Sequence, residues 1–69
     1  MDQDEITRSA KQLIDQFGLD ASIQAVRNAE VMLEQGDIDE FGKWLRIGRT
    51  VEVIQAIGGW GKDLTINKR

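Results

Sequence analysis

The acidic run Asp37-Ile38-Asp39-Glu40-Phe41-Gly42 matches the start of a calcium loop: carboxylates at the first and third positions and glycine at the sixth. The other ligand positions fail. The fifth is Phe41, the ninth is Leu45, and the twelfth, where calcium takes a bidentate carboxylate, is Gly48. A second stretch, Gly58-Gly59-Trp60-Gly61-Lys62, has the glycine density of a phosphate loop, but that motif needs glycine where Ala56 stands and Ser or Thr where Asp63 stands. An acid beside the phosphate repels it.

Catalytic side chains are scarce. With no Cys and no His, thiolate and imidazole ligands, nucleophiles and bases are all excluded. Ser9, Ser22, Thr7, Thr50 and Thr65 therefore have no histidine to activate them. Asp15 and Asp20 read as solvent-facing and capping residues, not as a pair of carboxylates in a cleft. The expectation is a protein that is no enzyme and uses no cofactor, metal or small-molecule substrate. Lys43, Arg46 and Arg49, spaced by three, could follow a phosphate backbone as a recognition helix does, although Asp39, Glu40 and Glu52 dilute the stripe.

What would position these residues is helical. Gly36 can close one helix in the left-handed conformation, Asp37 can cap the next, and Glu40 stands three residues after that cap. Upstream, Ile6, Ala10, Leu13, Ile14 and Phe17 fall within one sector of about 100°, the width of a core-facing stripe, which predicts a helix over 4–17 ending at Gly18. Ala21, Ala25, Val26, Ala29, Met32 and Leu33 share one face and predict a second helix over 21–35, capped by Asp20, with Ile23 at its edge and Val31 exposed.

A third helix is predicted over 38–57, and it carries two apolar seams. Ile38, Phe41, Leu45 and Gly48 form the first; Trp44, Ile47, Val51 and Ile54 form the second, with the 3-4-3 spacing of coiled-coil core positions. Gly42 and Gly48 each cost about 1 kcal/mol against Ala in a helix interior, which close packing at those points would explain. The fold expected is an all-α antiparallel three-helix bundle, a single domain over residues 1–60, followed by a short flexible tail over 61–69, with Trp60 a candidate to dock on the bundle.

Composition agrees with a folded chain. Ile, Leu, Val and Phe make up 19 of 69 residues, above the level of disordered sequences. No run of apolar residues approaches the roughly 20 of a membrane span, and the acidic start Asp2-Gln3-Asp4-Glu5 is unlike a basic signal peptide, so a cytoplasmic location is expected. The net charge of −3 is uneven: residues 1–37 carry −5 and residues 38–69 carry +2. Such a balance disfavours nucleic acid as the main partner.

Ala10, Leu13-Ile14, Gly18 and Ala21, then Gly36-Asp37, then Trp44 and Ile47 form an A-x-x-L-I-x-x-x-G-x-x-A run, a Gly-Asp turn and a W-x-x-I helix. Over about residues 10 to 54 this pattern resembles a group of short, all-helical bacterial proteins of unknown function. The resemblance implies an all-helical fold and brings no catalytic residue.

Taken together, the residues point to a small non-enzymatic protein–protein interaction module. Its expected partners are itself, as a homodimer through Trp44, Ile47, Val51 and Ile54 with the first seam completing the chain's own core, or another protein; the competing reading is that the third helix lies centrally and both seams serve that core. The alternative is a nucleic-acid-associated regulator using Lys43, Arg46 and Arg49.

Overall fold

The computed structural model describes residues 3–57, and all of its elements are helical. The tail expected over 61–69 and the docking of Trp60 lie outside the described residues. Helix α1 spans Gln3–Phe17, with Asp4 and Glu5 in its first turn, where carboxylates meet the positive end of the helix dipole. A single 3₁₀ turn, Gly18–Asp20, leads straight into helix α2, Ala21–Glu34. Residues 3–34 are thus one long helical run bent at Gly18, and helix α3, Ile38–Ala56, is the second. This differs from the expected bundle of three distinct helices joined by short turns at Gly18 and Gly36. The physical reason is Gly18: at φ +58° it redirects the chain at the start of the 3₁₀ turn, so the helix resumes without a loop.

Asp20, expected to cap α2, makes no side-chain cap bond, because it is the last residue of the 3₁₀ turn and not a free entry residue. The bend is held from elsewhere. Gln55, in the last turn of α3, donates its side-chain N–H to the Gly18 carbonyl at 3.0 Å.

The second junction follows expectation closely. Gly36 has φ +80°, its N–H donates to the Leu33 carbonyl at 3.0 Å, and the Asp37 N–H donates to the Met32 carbonyl at 2.9 Å. These two bonds form a Schellman motif, which satisfies carbonyls that the end of α2 would leave orphaned. Asp37 Oδ1 then accepts from the Glu40 N–H at 3.2 Å and caps α3. Only half of a capping box forms, since the Asp37 N–H is already committed to Met32.

Helix α3 packs on both limbs of the bent run. Against α2 it runs antiparallel through the Gly36 turn. Against α1 it runs in the same direction, because Lys43 meets Glu5 near one end and Gln55 meets Gly18 near the other. The core between them is small: Ile6, Ala10, Leu13 and Ile14 from α1, Ala21 and Ala25 from α2, and Ile47 and Val51 from α3, with Trp44 and Ile54 packed at its edge. Ala21, Ala25 and Ala29 are all fully buried, so α2 offers α3 a stripe of small residues four apart. A Cβ built on Gly48 would lie 3.3 Å from the Ala25 Cβ, closer than ordinary contact. Gly48 is glycine because α2 passes there. Gly42 has nothing within 4 Å of the same position, so packing gives no reason for that glycine.

Candidate functional site

The two seams of α3 occupy the reverse of their expected places. Ile47 and Val51 are 0 % exposed in the chain's own core, and Trp44 and Ile54 pack against them. The seam assigned to a partner is therefore the inner one. A homodimer contact through Trp44, Ile47, Val51 and Ile54 would first have to pull α3 off α1 and α2. The seam assigned to the core faces outward instead: Ile38 is 61 % and Leu45 44 % exposed, Phe41 is half-buried, and only Gly48 is covered. On α2, Val26 and Leu33, expected inside, are 45 % and 49 % exposed.

One cause accounts for these reversals. The close approach of Gly48 to Ala25 sets the rotation of α2 and α3 about their own axes. It turns the Ile47/Val51 seam into the core with α1, and it leaves Val26 and Leu45 on the outer side beside the groove, with Leu33 and Ile38 also exposed. Val26 and Leu33 are seven residues apart, as are Ile38 and Leu45, so each pair lies along one side of its helix. Phe17, also expected in the core, is exposed at the bend.

Between the outer sides of α2 and α3 lies a shallow depression of about 370 Å³, floored by Ser22, Val26, Leu45 and Gly48. It is open along its length and adjoins a second depression lined by Ile23, Arg27 and Glu30. Small-molecule sites enclose most of their ligand. This surface is a groove for something larger.

The expected basic stripe is divided between two sides of α3. The Lys43 Nζ donates to Glu5 Oε2 at 3.3 Å and so belongs to the contact with α1. Arg46 and Arg49 point to the other side and line the outer groove with Glu52. Arg27 of α2 lines the second depression, a residue that spacing within α3 could not reveal. Counting from Gly48 opposite Ala25 along antiparallel helices, Arg27 stands level with Arg46. All three arginines are exposed, and among the described residues none forms an ion pair.

Among the described residues there is no group of three or more acids that could hold a metal ion, and Asp37 of the calcium-like run is occupied in capping α3. Among those same residues, no helix is long and apolar enough to cross a membrane. No family model, curated protein or solved structure matches this chain.

Proposed function

We propose that this protein is a non-enzymatic protein–protein interaction module whose contact surface is the outer face of α2 and α3. The observation that carries the reading is the pair Val26 and Leu45, 45 % and 44 % exposed, which line one groove from two packed helices. Scattered apolar residues on a surface need no explanation, but large ones from two helices lining one groove are characteristic of a docking face. On this reading the bend at Gly18 closes α1, α2 and α3 into a three-helix bundle, and α1 fills the inner side of the α2–α3 pair so that the outer side stays available. Any self-association through α3 would use this outer face, because Ile47 and Val51 are already spent on the core.

Photo-crosslinking in the native cell tests the proposal. A photoreactive residue is placed at Leu45, at Val26, or at Gln12, which is exposed on α1. Protein adducts should form from positions 45 and 26 and not from 12. Equal adduct patterns at all three positions, or none at any, would remove the reading.

A further inference from the structure

We propose that the outer groove takes an amphipathic helix with acidic flanks, supplied by another protein. The inference rests on the interaction-module reading and adds the chemistry of the partner.

The chain contains its own example of the arrangement. On the inner side of the α2–α3 pair, α1 lays Ile6, Ala10, Leu13 and Ile14 into the core and sets the carboxylate of Glu5 against the ammonium of Lys43. The outer side repeats the recipe without an occupant: a floor of Val26 and Leu45 with the small residues Ser22 and Gly48, and cations at its middle. Arg46 and Arg49 are guanidinium groups, which donate to a carboxylate in a planar two-bond fork. An apolar helix stripe fits the floor, and glutamates on its flanks reach the arginines.

Other occupants fit less well. A two-fold pairing of two copies that crosses α3 on α3 near Gly48 sets Arg46 against Arg49 of the second copy. The chain's own segment after α3 carries Lys62, Lys68 and Arg69 against the single acid Asp63. A nucleic-acid backbone would reach Arg46 and Arg49 but would leave Val26 and Leu45 uncovered.

The test titrates the full chain into labelled helical probes of about 16 residues, long enough to hold helix when docked. One probe has a leucine stripe flanked by glutamate, a second replaces every glutamate by lysine, and a third keeps glutamate but replaces the stripe by serine. Fluorescence anisotropy should show saturable binding of the first probe and at least about tenfold weaker binding of the other two. The Arg46→Glu/Arg49→Glu variant should reverse the preference between the glutamate and lysine probes. Because both arginines are exposed, circular dichroism of that variant should match wild type.

Equal binding of the glutamate and lysine probes overturns the proposal, as does no binding of any probe up to about 1 mM, a concentration that marks contacts of only about 4 kcal/mol. A duplex or single-stranded oligonucleotide that binds more tightly than the glutamate probe, with steep loss in salt, also overturns it. So does a dimer in sedimentation equilibrium that Leu45→Ser dissolves, since a second copy would then be the occupant. If crosslinks at Leu45 persist while the charge preference fails, the interaction face stands and only the acidic helix falls.

Discussion

Gly42 and Gly48 make a matched pair of substitutions within one helix, and they should respond oppositely to alanine. Both have helical backbone, so each Gly→Ala change gains the propensity difference of about 0.8–1 kcal/mol. At Gly42 the new methyl meets nothing within 4 Å, and that gain should appear in full. At Gly48 the new Cβ stands 3.3 Å from the Ala25 Cβ, against the 3.5–4.0 Å at which two carbon atoms are comfortable. Neither methyl can rotate away, since each is fixed directly to its backbone, so the two helices must part by a few tenths of an ångström. Overpacking of this kind costs typically about 1–3 kcal/mol, which equals or exceeds the gain. Gly42→Ala should therefore raise the melting temperature by about 4–8 °C, the shift that 1 kcal/mol makes in a chain of this size. Gly48→Ala should leave it unchanged or lower it, and Gly48→Val should lower it clearly. Thermal unfolding followed at 222 nm, with urea titrations for the free energies, measures all three. Equal stabilisation by the two alanines would refute the close approach of α2 and α3, and with it the rotation that assigns the inner and outer seams.

At the second junction, Asp37→Ala should cost about 1 kcal/mol through loss of the cap to Glu40, and Gly36→Val should cost more, because its φ of +80° strains any side chain and a branched one most. Urea unfolding of both variants checks the order. Ile47→Ala removes a fully buried side chain and should cost about 2–5 kcal/mol, enough to leave much of so small a chain unfolded at 25 °C; a variant with unchanged circular dichroism and melting would show that Ile47 is not core. Gln55→Leu should lower stability by about 0.5–1.5 kcal/mol by releasing the Gly18 carbonyl at the bend, and amide hydrogen exchange should quicken most in the residues around Gly18.

Much of this fold was legible because it is local. Helix formation over α1, α2 and α3 follows from apolar spacing, and the Gly36-Asp37 junction follows from two residue types whose backbone and hydrogen-bonding preferences act within a single turn. Gly18 was legible as a reversal, but the continuous passage through a 3₁₀ turn was not. Gln55, which donates to the Gly18 carbonyl at 3.0 Å, lies 37 positions away in the chain and carries no local signal of that role.

The sequence by itself determined that α3 has two apolar seams and a set of basic residues between them. Only tertiary packing decided which seam is the core. A helix wheel ranks residues by type, and both seams of α3 are apolar enough to be buried; the choice depends on what α2 presents. There the three alanines admit α3 at short range and Gly48 lets it approach Ala25, which turns Ile47 and Val51 inward and Leu45 outward. The same rotation sends Lys43 to Glu5 and leaves Arg46 and Arg49 lining the outer groove. Periodicity within one helix is a local property, whereas the rotation of that helix is set by contact with another, and the candidate site of this protein exists only after the second has acted.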